Sequence, residues 1–311
     1  MKKILQWSVM LSLATVGAIL PVRAQNFPDR PIRFIVPYSA GGGVDTTARV
    51  IAEGLTKRIG QSVVVENKPG GGSSLATDYV VKSRADGYTL LYGTGDATTL
   101  LPAVNPKLPY KMPDDLVFIT RAFMSPYTVT VSNLLPVNTW AEFLAYAKAN
   151  PGKIRYATSG FGGGGHLATV LLEMHAGISM VHVPYKGIGQ LMPDLLSGTI
   201  DLGLVSPATI SPHYNAGKVK VLAQVSHKRN PVLANIPTLG ELGLKDATVE
   251  TWYGIMAPAG LPANVREKLE KELAEVFKDP DVLQKLSKLG WIPDPLAGDA
   301  FQKFVLDELK L

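Results

Sequence analysis

The sequence predicts an α/β protein with two doubly wound domains that are joined by a hinge and enclose a cleft. Strand and helix signals alternate along the chain, which indicates parallel sheets covered by helices. The length of 311 residues allows two domains of ~100–200 residues each. No low-complexity linker interrupts the alternation, so the chain is expected to cross twice between the domains. The predicted first domain comprises residues 25–124 and 226–311, and the second residues 125–225.

The N-terminus has the pattern of a cleaved secretory signal, predicted over residues 1–24. Lys2 and Lys3 precede an apolar stretch over 4–22, and the segment 22–24 places small or medium residues before Gln25. The alternative is a retained membrane anchor. An anchor requires ~20 cleanly apolar residues, whereas polar residues interrupt this stretch, so cleavage near Ala24–Gln25 and export are favoured.

The first predicted domain begins in the order β-α-β-α-β. In its first helix, Val44, Ala48, Ile51, Leu55 and Ile59 fall on one face, and Gly60 follows as a stop signal. The predicted strands are 31–37, 62–66 and 88–92, and the predicted helices are 44–59 and 74–84.

The second predicted domain repeats the alternation, and two amphipathic helices follow it. Residues 139–142 form a capping box that opens a helix. Near the C-terminus, Asp279 is a candidate N-cap with Pro280 as the first helical residue, and these last helices are expected to cover the first domain. The predicted strands are 127–131, 154–158, 181–184, 199–205 and 219–225.

Composition excludes several function classes. The chain has no cysteine, which excludes thiol catalysis and thiolate metal sites, and its five histidines are scattered, so no metal or other cofactor is expected. Removing Lys2, Lys3 and Arg23 from the 31 basic residues leaves 28 against 26 acidic residues, a balance that gives no reason to expect nucleic-acid binding. The glycine-rich loop before residue 44 lacks the dinucleotide spacing G-x-G-x-x-G, neither glycine-rich loop has the Gly-Lys-Ser/Thr of a Walker A motif, and no G-x-S-x-G is present. We therefore expect no enzyme.

Two glycine-rich loops each join a predicted strand to a helix start. In parallel α/β sheets such loops lie where ligands bind, and a helix N-terminus there favours an anion. One loop from each domain would form a two-sided carboxylate clamp. The residues predicted to bind ligand in these loops are Tyr38, Ser39, Ala40, Gly41, Gly42, Asp45, Ser159, Gly160, Phe161, Gly162, Gly163, Gly164 and His166.

Each of these features has an alternative interpretation. A glycine-rich loop can be only a tight turn, and Asp45 can be a plain N-cap. His166 could act as a general base, but a histidine at a helix start is more often structural. Ser159 and His166 have no identifiable third partner.

The chain resembles the Bug-type substrate-binding proteins of tripartite tricarboxylate transport systems. The segments that carry the resemblance are IRFIVPYSAGGGVDTTAR (32–49), GQSVVVENKPGGGSSLA (60–76), ADGYTLLYG (85–93), HVPYKG (182–187), DLLSGTIDLG (194–203), IPTLGELGL (236–244) and WYGIMAPAGLP (252–262). The resemblance implies a periplasmic-binding-protein fold whose loops at 38–45 and 159–166 hold a ligand carboxylate.

The same resemblance implies a monomeric transport receptor that delivers a small carboxylate to membrane subunits. A ligand sensor for a signalling partner is one alternative, and a periplasmic hydrolase is another. The family usually carries Ser or Thr near Gly163, and the glycine run 162–165 beside Phe161 favours an aromatic or otherwise bulky acid over a small dicarboxylate. The predicted binding set also includes Thr94, Gly95, Tyr185, Lys186, Val205 and Ser206.

Overall fold

The computed structural model describes residues 27–310, and its strands form one continuous mixed sheet. The predicted signal segment 1–24 lies outside the described residues. The strands are β1 (Ile32–Val36), β2 (Val63–Asn67), β3 (Thr89–Thr94), β4 (Leu116–Ser132), β5 (Arg155–Thr158), β6 (Val181–Pro184), β7 (Leu202–Val205), β8 (Val219–Val225), β9 (Glu250–Pro258) and β10 (Leu296–Ala297). Their order is β2-β1-β3-β9-β4-β7-β5-β6, and β8 and β10 also pair with β4.

The long strand β4 joins two groups of strands. Its first part pairs antiparallel with β9, from Leu116 opposite Pro258 to Pro126 opposite Glu250. Its second part pairs antiparallel with β7 and β8. On either side of it, β2-β1-β3 and β6-β5-β7 are the parallel sets that the sequence predicts. The α/β fold is therefore confirmed, with a sheet that is mixed at its centre.

The sequence predicts only residues 127–131 of β4 and none of β9. Both strands are buried along nearly their whole length. A strand covered on both faces lacks the alternation of polar and apolar residues that identifies a half-exposed strand. This is the physical reason that β9 and the first part of β4 were missed.

Helices cover both faces of the sheet. They are α1 (Gly43–Ile59), α2 (Ser74–Val81), α3 (Leu101–Val104), α4 (Trp140–Ala149), α5 (Gly164–Ala176), α6 (Ile188–Ser197), α7 (Pro207–Asn215), α8 (Ala263–Val276), α9 (Pro280–Lys288) and α10 (Gly298–Glu308). A π-helical turn, Asp96–Leu100, follows β3. No helix within residues 27–310 has the length and apolar character that crossing a membrane requires.

Helix α1 shows how the sequence determines an element. Ala48, Ile51 and Leu55 lie on its buried face, at the spacing that places side chains on one side of a helix. The helix ends where Gly60 takes a left-handed conformation with φ of 69°, which glycine adopts without steric cost. The predicted face and stop are both confirmed.

The C-terminal helices α8 and α9 return to the first group of strands and pack on α1. Leu269, Leu273 and Leu286 are buried in the same core as Ile51 and Leu55. The sequence predicts this covering layer from the amphipathic pattern. The two helices tie the end of the chain to its beginning.

Residues 226–249 pack with the second group of strands. Leu239 and Ala247 belong to the core beneath β7 and β8, and Leu233 and Ile236 pack beside Val221. The chain therefore returns from the second group of strands to the first near residue 249. The predicted boundary at 225/226 places this return earlier. The division into two domains with these bounds stays a prediction.

Candidate functional site

A cavity lies between the two groups of strands, where helix starts from both groups face each other. It has a volume of about 40 Å³, several times the ~10–15 Å³ that one water molecule needs. Its lining residues are Tyr38, Gly42, Gly43, Val44, Thr94, Asp96, Tyr127, Ser159, Ile188, Leu204, Ser206, Thr209, Thr251 and Tyr253.

The first loop, between β1 and α1, presents the start of α1 to this cavity. Gly42 is the N-cap residue, and no side chain caps the helix. A Cβ at Gly43 would lie only 2.8 Å from both Thr209 Oγ1 and a ring carbon of Trp291, so the close approach of the loop to α7 requires glycine. An uncapped helix start leaves amides that can donate hydrogen bonds to an anion.

Asp45 fixes the shape of this loop. Its carboxylate accepts hydrogen bonds from the Gly41 amide at 2.9 Å, from Arg49 at 2.9 Å and from Asn67 Nδ2 at 3.0 Å. Burial alone would raise the pKa of Asp45, but the hydrogen bonds from Arg49, Gly41 and Asn67 lower it. Asp45 holds the turn that precedes α1, and it does not line the cavity.

The second loop, between β5 and α5, faces an acidic side chain of the protein itself. Helix α5 also begins without a side-chain cap, at Gly163. A Cβ at Gly163 would lie 3.0 Å from Asp96 Oδ2, and one at Gly164 would lie 2.7 Å from Asp96 Oδ1. Asp96 therefore occupies the recess beside Gly163 that was predicted to hold a ligand.

Asp96 is almost completely buried, with 2% of its surface exposed. Its Oδ2 accepts a hydrogen bond of 2.7 Å from the Tyr38 hydroxyl, which also lies 3.0 Å from Thr94 Oγ1. Its Oδ1 has no hydrogen-bond partner. Burial raises the pKa of Asp96, although the Tyr38 hydroxyl and the nearby Gly164 amide and Tyr127 hydroxyl oppose that rise.

The aromatic and histidine side chains of the second loop stack beside the cavity and do not line it. Phe161 is 71% exposed, and its ring centroid lies 4.7 Å from that of His166. His166 stacks on His182 at 4.2 Å, and its Nδ1 accepts a hydrogen bond from the Gly162 amide. Burial, together with the charge of neighbouring His166, lowers the pKa of His182 to about 4.

Two predicted residues after β6 lie on the opposite wall and do not line the cavity. The Tyr185 hydroxyl donates a hydrogen bond to Asp194. The carbonyl oxygen of Lys186 accepts a hydrogen bond of 3.1 Å from Ser39 Oγ. These contacts make them part of the cleft walls rather than of the cavity lining.

The structure brings only some of the predicted binding residues to the cavity. Those that line it are Tyr38, Gly42, Thr94, Ser159 and Ser206. Those that lie in the adjoining loops and strand ends without lining it are Ser39, Ala40, Gly41, Asp45, Gly95, Gly160, Phe161, Gly162, Gly163, Gly164, His166, Tyr185, Lys186 and Val205. A role of these loop residues in ligand binding stays a prediction.

The binding residues predicted from the sequence do not include Asp96, Tyr127, Thr209, Thr251 or Tyr253, all of which line the cavity. Asp96 directly follows Thr94 and Gly95, which were predicted to bind ligand. An acidic residue just after the end of a buried strand was the sequence signal that could have identified it. Tyr127 and Tyr253 belong to β4 and β9, whose arrangement at the centre of the sheet was not predicted.

Known proteins share this fold and sequence pattern. Residues 47–311 match the family described as the tripartite tricarboxylate transporter family receptor, TctC. Protein BugT of Bordetella pertussis is 32% identical over 299 residues, covering 96% of this chain and 92% of its own. The structure of R. palustris Rpa4515 with adipate has a TM-score of 0.87 at 30% identity, over 92% of this chain and 95% of its own.

A further solved structure, MatC from Rhodopseudomonas palustris with bound malate, has a TM-score of 0.84 at 28% identity. It covers 91% of this chain and 98% of its own. The family match extends over most of the sequence, and the structural likeness includes both groups of strands. The chain belongs to the TctC family of tripartite tricarboxylate transporter receptors, and it is a Bug-type substrate-binding protein rather than an enzyme.

Proposed function

We propose that this chain is a periplasmic solute-binding protein that captures a small carboxylate for the membrane subunits of a tripartite tricarboxylate-type transporter. The observation that carries the proposal is the uncapped start of α1 at the cavity. Its first amides have no intrahelical partner, and the helix dipole adds a partial positive charge there. Both favour a carboxylate.

The opposite wall supplies short hydroxyl groups that complete a polar lining. Ser206 and Thr209 stand at the start of α7, with their hydroxyl oxygens 2.9 Å apart. Ser159 lies at the second loop, and the Thr251 hydroxyl has no hydrogen-bond partner. Hydroxyl groups can donate to a carboxylate without a fixed positive charge, which suits a receptor that must release its ligand.

The small cavity supports a compact acid. Asp96 fills the recess beside Gly163, and the Phe161 ring is not part of the lining. The space of about 40 Å³ therefore favours a short aliphatic skeleton, the reverse of the ranking that the glycine run gave. The relatives with adipate and malate support aliphatic acids as the class of ligand to test first.

Contacts across the cleft support capture by closure. Ser39 bonds to Lys186 across it, and a Cβ at Gly72 would lie 2.8 Å from the carbonyl oxygen of Phe161. Hinge closure of this kind desolvates a ligand and commits the receptor to its bound form. Export by the predicted signal segment would place the receptor on the periplasmic side.

Calorimetry with purified protein tests the proposal. Malate, adipate and benzoate serve as probes, with mass spectrometry of any small molecule released from freshly purified protein. We expect an organic acid to be recovered chemically unchanged, and the aliphatic acids to bind more tightly than benzoate. Recovery of a converted product, or binding of no acid and release of none, would contradict the proposed function.

A further inference from the structure

A buried acid at the cavity wall is unexpected for a site that receives an anion. Within residues 27–310, the cavity lining contains Asp96 and no lysine, arginine or histidine. Asp96 is 2% exposed, and its Oδ1 has no hydrogen-bond partner. A buried charge normally pairs with an opposite charge or with hydrogen-bond donors. The Oδ1 oxygen of Asp96 has no such partner, and a ligand could supply one.

The position of Asp96 sets a condition on the ligand. The carboxylate would lie on the start of α1, in the same small cavity as Asp96. Two like charges about 4 Å apart near a protein surface repel each other by several times the thermal energy. A ligand that carries its own positive group toward Asp96 removes the repulsion and pairs the buried oxygen at the same time.

The remaining lining fits a positive group as well. Tyr38, Tyr127 and Tyr253 line the cavity with Asp96, and the Tyr38 hydroxyl already holds Oδ2 at 2.7 Å. This bond fixes the orientation of the carboxylate and leaves Oδ1 for a ligand. Tyrosine rings beside a carboxylate are also suitable neighbours for an ammonium group.

We propose that the ligand is a compact zwitterion, with its carboxylate on the start of α1 and its ammonium group on Asp96 Oδ1. The inference rests on the proposed function, because it takes the carboxylate position from there. It assigns to Asp96 the selection of amino-bearing acids over plain acids.

The test uses pairs of probes that differ in the positive group. The pairs are glycine and acetate, β-alanine and propionate, γ-aminobutyrate and butyrate, and glycine betaine and tert-butylacetate. The last pair has the same shape, and only the charge differs. Affinities are measured by calorimetry on the native protein and on Asp96→Asn, which preserves the size of the side chain.

We expect the native protein to bind at least one zwitterion at least ~10-fold more tightly than its plain partner. In Asp96→Asn, the affinity for that zwitterion should fall about 10- to 100-fold, as for the loss of a charge-assisted hydrogen bond. Affinity for the plain acid should stay or increase, because the repulsion is gone. Asp114→Asn, at an exposed site before β4, is the matched control. It should change neither the affinity for the zwitterion nor the affinity for the plain acid.

Each other outcome has a defined meaning. Plain acids that bind the native protein as tightly as their partners overturn the zwitterion proposal and preserve the proposed function. Unchanged affinity of the zwitterion in folded Asp96→Asn also overturns it. If that variant fails to fold, the zwitterion proposal is judged from the paired affinities of the native protein alone. If no probe in either series binds the native protein, the zwitterion proposal is wrong, and the binding of malate and adipate and the identity of any released acid decide the proposed function separately.

Discussion

The Ser39 hydroxyl donates a hydrogen bond to the carbonyl oxygen of Lys186, 3.1 Å away, and thereby joins the two walls of the cleft. Ser39 belongs to the loop before α1, and Lys186 follows β6 in the other group of strands. In the closure proposed above, the bond would form as the walls approach and would stabilise the closed state.

Replacing Ser39 with alanine should weaken ligand binding while leaving the fold intact. A net loss of about 0.5–1.5 kcal/mol corresponds to a ~2- to 10-fold lower affinity. Calorimetry measures the affinity, and solution scattering should show a smaller radius of gyration on ligand addition in the native protein. Ser287→Ala, at an exposed site on α9, is the control. Equal affinities for Ser39→Ala and the native protein would exclude a role for this bond in closure.

The glycines at the start of α5 permit a paired test of the second loop. A Cβ at Gly164 would collide with the Tyr127 hydroxyl and lie 2.7 Å from Asp96 Oδ1. A Cβ at Gly165 would lie 3.7 Å from its nearest neighbour, at Thr158, an ordinary contact. Gly164→Ala should therefore displace Asp96 and lower ligand affinity at least ~10-fold, at a stability cost of about 1–3 kcal/mol from overpacking.

Gly165→Ala should leave affinity unchanged and be neutral or slightly stabilising, since alanine is the better helix former by up to ~1 kcal/mol. Thermal unfolding and calorimetry on both variants provide the comparison. If both variants bind equally well, the contact between α5 and Asp96 has no influence on the site.

The fold was predictable where a local pattern is sufficient. The apolar face of α1, its stop at Gly60 and the capping residue Asp279 of α9 were all readable from spacing and residue type. The two strand-loop-helix units that face the cleft were also readable. The resemblance to Bug-type proteins then gave the family, which the comparisons confirm.

The cavity lining was less predictable because it depends on pairing between distant segments. Tyr127 and Tyr253 reach the cavity only because β4 and β9 cross the centre of the sheet. Asp96 becomes important only when α5 is placed next to it. The exposed Phe161 appeared in sequence to be a lining residue, since nothing local shows that its ring stacks on His166 instead.

Asp45 should support the first loop through the three groups that its carboxylate binds. Asp45→Ala would leave the Gly41 amide, Arg49 and Asn67 without this acceptor. The expected cost is about 0.5–1.5 kcal/mol of unfolding free energy, because Gly41 and Arg49 are exposed and water can replace the lost acceptor. Ligand binding at the start of α1 should also weaken. Urea unfolding measures the cost. Asp114→Ala, at an exposed site, is the control, and equal midpoints for the two variants would contradict the structural role.

His182 should make the protein less stable as the pH falls from about 6.5 to about 4. Its ring stacks between Tyr156 at 4.9 Å and His166 at 4.2 Å. Burial and the charge of His166 lower its pKa from 6.5 to about 4. In this window the unfolded chain binds a proton at His182 and the folded protein does not, so protonation favours unfolding.

The stabilisation from a neutral His182 is therefore complete above pH 6.5 and is lost as the pH falls toward 4. We expect this stabilisation to contribute about 1–2 kcal/mol to the free energy of unfolding, less than the full pKa shift would give, because solvent screens a partly exposed ring.

Thermal unfolding of the native protein and of His182→Gln across this pH range isolates the contribution of His182, since carboxylates titrate in both proteins. The variant should have a lower melting temperature near pH 7, because the stacking is lost, but a shallower decline with acid. His175→Gln, at an exposed position on α5, should retain the native slope. A His182→Gln slope as steep as that of the native protein would assign the acid sensitivity to other groups.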